Sequence, residues 1–214
     1  MKQKNNKKQL DAEINRMLLN DFDKIENFIV TRWKQMFICA GVIIVLVAVA
    51  YGVMLKKENN ERAAQSAVAN AVTKEQLVEV IGRYKSYKEV DFARIRLARI
   101  YSAENDFAKA KELFKTVAMN TEDQELKCRM LLDEAYMIEK ENKFADAVKA
   151  FNIIANNSMY SNGVRAEAYY SAMRLAIKLN QKDEAAKIFA QLNLLTGDEI
   201  AGAWINLAKA IEVK

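Results

Sequence analysis

Histidine and proline are absent from the 214 residues, glycine occurs six times and cysteine twice. Without histidine there is no Ser-His or Cys-His nucleophile and no His-ligated zinc site. Cys39 lies in a long apolar run and Cys128 in a polar region far from it, so no disulfide framework exists and Cys128 reads as a small buried apolar residue. No glycine-rich phosphate loop, metal-ligand cluster or recognisably spaced carboxylate pair appears. A noncatalytic protein without cofactor or small-molecule substrate is therefore expected. With no proline, little glycine and abundant Ala, Leu, Lys and Glu, the chain reads as all-α.

Charge is absent from one stretch. Met36 to Leu55 is twenty consecutive uncharged residues, and at about 1.5 Å of rise each they match a hydrocarbon core of roughly 30 Å. Lipid offers no partners to backbone N–H and C=O groups, so such a segment is helical. Arg32, Trp33 and Lys34 on one side and Tyr51, Lys56 and Lys57 on the other suit the headgroup level. Ala48-Val49-Ala50 imitates a signal-peptide cleavage site, but the preceding polar region and the apolar run are both longer than a signal peptide has. The basic residues before the span place the N-terminus in the cytoplasm by the positive-inside rule. Gly41, Ala48 and Gly52 share one face of the span and form its candidate helix-packing surface.

Residues 1–57 hold 10 of the 33 basic and 5 of the 28 acidic side chains, which leaves 23 of each beyond them. The net charge of +5 thus belongs to the membrane flanks, and the neutral remainder lacks an electrostatic footprint for nucleic acid. Leu10, Ile14, Met17, Leu18, Phe22, Ile25 and Ile29 recur every three or four residues. This is either an amphipathic helix on the membrane face or against a partner, or a partly ordered tail.

Beyond the span the sequence repeats itself. The blocks beginning Asn105-Asp106-Phe107, Asn142-Lys143-Phe144 and Asn180-Gln181-Lys182 are offset by 37 and 38 residues. Ala110 precedes Phe114, Ala147 precedes Phe151 and Ala185 precedes Phe189, each by one helical turn. The helix before each block carries a small residue at Ala98 and Ala135 and Met173 in the third, and Trp204 to Ala208 supplies such a helix once more. Helix pairs of this kind need neighbours to bury their apolar faces. Thr73-x-x-Gln76 forms a capping box that opens a helix in an earlier, degenerate pair.

Leu97, Ala98, Tyr101, Phe107, Ala110 and Phe114, with Trp204, Leu207 and Ala208, resemble tetratricopeptide repeats, although the period is longer and Met173 departs from the pattern. An unrelated helical bundle is the alternative. The expected architecture is all-α: a single N-terminal transmembrane helix, then a tetratricopeptide-like α-solenoid of helix pairs with a C-terminal capping helix. Its parts are a basic, amphipathic arm over 1–35, the span over 36–55 and a repeat domain over 58–214. Pairs are expected at about 60–90, 91–120, 126–157 and 164–195, with the cap at 198–212.

Stacked pairs present a groove lined by their first helices, suited to extended peptides or partner helices. Aligning those helices on their small residues assigns Phe92, Ile95, Arg99, Arg129, Leu132, Tyr136, Tyr170 and Arg174 to the groove. That mixture of aromatic, apolar and guanidinium groups is enriched at binding hot spots. Alternatively, these side chains cover the solvent edge of the core.

The layout also resembles the YfgM-like ancillary subunits of the bacterial SecYEG translocon. The matching stretches are Glu26-Asn27-Phe28 before the span, Ala63 to Ala67 after it, and Arg94 to Tyr101. The resemblance implies a single-pass protein of the bacterial inner membrane with a cytoplasmic N-terminus and a periplasmic repeat domain. It further implies translocon subunits, periplasmic chaperones or emerging polypeptides as partners. A structural adaptor of a cell-wall or division assembly is the alternative function.

Overall fold

A computed structural model describes the backbone of residues 2–212 and the side chains of those residues except 2–12, 15, 18–21 and 212. Among the described residues the protein is all-helical, with nine helices. They are α1 (Lys2–Asn70), α2 (Lys74–Arg83), α3 (Val90–Ala103), α4 (Phe107–Asn120), α5 (Gln124–Lys140), α6 (Phe144–Ala155), α7 (Asn162–Lys178), α8 (Lys182–Leu192) and α9 (Glu199–Glu212). The chain divides into two compact units, residues 1–59 and 60–214.

Helix α1, most of which lies in the first unit, has the length and apolar composition needed to cross a membrane, the qualifying stretch being Phe22–Asn70. Each described side chain from Phe22 to Lys57 is exposed. Gly41, Ala48 and Gly52 lie on this exposed helix, and nothing stands within 4 Å of where a Cβ would sit at either glycine. Near the start of the apolar run Trp33 meets Phe37 edge-on at 5.9 Å, and Lys34 lies 5.7 Å from the Trp33 ring centre. Ile14, Met17, Phe22, Ile25 and Ile29 are exposed, whereas the side chains of Leu10 and Leu18 lie outside the described residues.

The second unit begins with the last turns of α1, which bury Ala64, Val68 and Ala71 along one stripe. Arg96 of α3 donates to the Val68 carbonyl at 3.0 Å. Thr73 and Gln76 close both bonds of the capping box at the start of α2. Each helix from α2 to α7 packs on its successor, and α9 packs on α7. Three apolar clusters follow one another through these helices. The first gathers Val68, Leu77, Val90 and Leu97, and the second gathers Ala98, Phe114, Val117 and Met130. The largest spans α5 to α9 around Leu132, Phe151, Tyr169, Met173 and Ile205.

The three sequence blocks share a backbone device. Asn105, Asn142 and Asn180 adopt φ of 63°, 60° and 57°, the left-handed region. In each case the following N–H donates back across the turn, Asp106 to Tyr101, Lys143 to Ile138 and Gln181 to Ala176. The asparagine N–H itself bonds to Ser102, Glu139 or Ile177. These paired bonds are the Schellman closure, which satisfies the last carbonyls of α3, α5 and α7 and turns the chain into the next helix. Asparagine tolerates this conformation better than other residues with a Cβ. Asn142→Val is accordingly expected to destabilise the fold by roughly 1–2 kcal/mol, while Asn142→Gly is neutral or stabilising. Equal melting temperatures for the two variants would remove this role for Asn142.

Candidate protein-binding face

The eight residues assigned to the groove separate into three groups. Ile95 is 7% exposed and Leu132 is 0% exposed, so both belong to the core and are unavailable to a partner. Each stands three residues before a buried alanine, Ala98 or Ala135, and the i, i+3 relation puts it on the alanine's own face. The groove assignment is corrected at these two positions.

Tyr136, Tyr170, Arg129 and Arg174 form the second group, which links neighbouring helices. Arg174 of α7 makes a bidentate pair with Glu139 of α5, both N···O distances being 2.8 Å. Such a fork fixes geometry as well as charge. Arg129 reaches Glu167 at 2.9 Å, and the Tyr136 hydroxyl donates to the other oxygen of Glu167 at 3.0 Å and lies 3.0 Å from Ser171 Oγ. The Tyr136 ring meets Phe151 edge-on at 5.0 Å, and Tyr170 packs on Trp204 of α9 at 5.2 Å. Burial pushes the Tyr136 hydroxyl well above the usual tyrosine range, so it remains a proton donor.

Phe92 and Arg99 make up the third group. Both are exposed on α3, and Phe92 keeps 61% of its surface in solvent. Asp133 of α5 is half-buried and feels the charges of both Arg99 and Arg129. Burial raises its carboxyl above the ordinary range, and the two guanidinium groups offset part of that rise.

Glu139, Glu167 and Ser171 are partners of these side chains that the repeat alignment alone did not single out, whereas Trp204 was part of the aligned pattern. A signal was present. Arg129 and Glu167 are 38 residues apart and Glu139 and Arg174 are 35 apart, close to one repeat, so opposite charges recur at laterally adjacent positions. Cys128 is buried, its Sγ donates to the Glu125 carbonyl at 3.1 Å, and burial raises its thiol, which makes it a poor nucleophile. Among the described residues no cluster of three or more His, Cys, Asp or Glu side chains is placed to hold a metal ion.

Nothing matches this chain among family models, curated proteins or solved structures.

Proposed function

We propose that this protein is a noncatalytic, membrane-anchored scaffold whose tetratricopeptide-like repeat domain captures a protein partner on the α3–α5–α7 face. The carrying observation is the exposed Phe92 and Arg99, seven residues apart on α3. Arg99 is near enough to Asp133 of α5 to share its field with Arg129, which belongs to the network of Tyr136 and Glu167 between α5 and α7. An aromatic anchor and a guanidinium on a preorganised support are the elements from which interface hot spots are made. The sequence resemblance to ancillary SecYEG subunits supports a location in the bacterial inner membrane, with the N-terminus cytoplasmic and the repeat domain periplasmic. It likewise supports translocon subunits, periplasmic chaperones or emerging polypeptides as partners.

Copurification after mild detergent extraction tests the partner. Translocon subunits should accompany the protein; cell-wall or division proteins in their place would make it a structural adaptor of another envelope assembly.

The face is tested by Phe92→Ala combined with Arg99→Ala. Capture of the copurifying partner should fall by more than about tenfold, the loss of roughly 1.4 kcal/mol or more. Stability should stay within about 0.5 kcal/mol per site, since both side chains are exposed. Lys109→Ala with Lys149→Ala, exposed positions on the second helices α4 and α6, serves as the control. Unchanged capture by the α3 variant would exclude this face. Tyr136 and Arg174 are unsuited to this test because their removal unties α5 from α7.

A further inference from the structure

Among the three pairs that carry the repeated block, the third, α7–α8, departs from the other two where its second helix begins as well as at Met173. Phe107 opens α4 and Phe144 opens α6, each two residues after the left-handed asparagine, but Lys182 opens α8 at the same place. Both rings are half-buried and pack on the cores of their pairs. Each is also bordered by a lysine from the end of the next first helix. Lys140 lies 5.6 Å from the Phe107 ring centre and Lys178 lies 3.7 Å from that of Phe144.

Where the third ring would be, a cavity of about 300 Å³ opens between Met173, Ile177, Ala185, Phe189 and Ile211, with Lys182 among its lining residues. An engineered apolar cavity of roughly 150 Å³ holds benzene, so the volume suffices for a phenyl group. The neighbouring phenylalanine shows the same vacancy. Phe114 is 2% and Phe151 0% exposed, whereas the equivalent Phe189 is only half-buried.

We propose that this cavity binds an aromatic side chain of a partner polypeptide, with an acidic group beside that residue held by Lys182. The two preceding pairs identify the occupant, because in each a phenyl ring of the chain itself, Phe107 or Phe144, packs on the cluster that holds the equivalent alanine and phenylalanine and lies three and seven residues before them on one helix face. The charge preference follows from the exposed ammonium of Lys182, which is complementary to a carboxylate and, among the described side chains, has only apolar groups opposite it in the cavity. The site lies on α7, α8 and α9 and does not depend on the α3 face.

The test uses the full-length chain in lipid nanodiscs and N-acetylphenylalanine, which carries one ring and one carboxylate. Saturation-transfer NMR should show contact between protein methyl groups and the ring, weaker contact for N-acetylphenylalaninamide and none for N-acetylalanine. Lys182→Phe should fill the cavity from within, raising the melting temperature and weakening probe binding by more than about tenfold. Lys182→Ala should keep ring binding and erase the preference for the acid over the amide. The proposal is overturned if empty nanodiscs give the same transfer, or if Lys182→Phe binds the probe as the wild type does. It is also overturned if that variant converts a dimer to a monomer, which would make a second copy of the chain the occupant. Should Lys182→Phe fail to fold, an unchanged acid preference in Lys182→Ala is sufficient to reject it.

Discussion

Arginine at both Val45 and Leu46 is expected to release the protein from the membrane pellet under alkaline carbonate extraction. Each arginine at the centre of a spanning helix costs about 2.5–3.5 kcal/mol, and each apolar residue it replaces had contributed roughly 0.3–0.6 kcal/mol to insertion. The pair therefore opposes insertion by roughly 6–8 kcal/mol. Val45 is 61% and Leu46 63% exposed in α1, so no described side chain stands ready to receive the new charges. The exchange Val45→Leu with Leu46→Val keeps the apolar content and should leave the pellet fraction unchanged. Retention of the double arginine variant at the wild-type level would show that α1 is not the anchor.

Phe151→Ala carries the largest expected loss within residues 60–214. Phe151 is fully buried, belongs to the cluster spanning α5 to α9, and receives the edge of Tyr136 at 5.0 Å. Truncating such a side chain removes its transfer free energy and leaves a cavity, for about 3–5 kcal/mol. The lost aromatic pair accounts for roughly 0.5–1.5 kcal/mol of interaction that overlaps that figure. At about 2–4 °C per kcal/mol for a domain of this size, the helical melt should drop by roughly 10 °C. Phe189→Ala, at the equivalent position of the third pair, should cost less than half as much because its ring already borders a cavity. Similar losses at the two sites would contradict the difference in packing between the second and third pairs.

The contrast between Phe151 and Phe189 shows where sequence repetition stops being informative. Both follow an alanine by four residues, and nothing within either segment distinguishes their burial. The difference arises outside those segments: Tyr136 of α5 lays its ring edge on Phe151 and Phe144 adds a second ring to that cluster, whereas Arg174 and Lys182 stand at the two equivalent positions of the third pair. A similar limit applies to the face. Periodicity places Ile95 and Arg99 on one first helix, but only the neighbouring α4 and α5 decide that Ile95 joins the core while Arg99 stays in solvent. For Arg174, pattern gave a guanidinium at a repeat position; the position of Glu139 on α5 turned it into a brace.

By itself the sequence determined what depends on local chemistry. The absence of proline and scarcity of glycine imposed helices, the uncharged run from Met36 to Leu55 made α1 apolar enough to cross a membrane, and Thr73 with Gln76 set the start of α2. These effects act within one or a few turns, where the interacting residues are adjacent in the chain. Asn105, Asn142 and Asn180 belong here too, since a side chain tolerant of positive φ was available wherever the turn required it. Tertiary structure alone decided which helix faces are covered, that Glu167 serves both Arg129 and Tyr136, and that a cavity remains beside Phe189. Those outcomes depend on side chains about one repeat apart, whose encounter is set by how helices pack and by the room left between them.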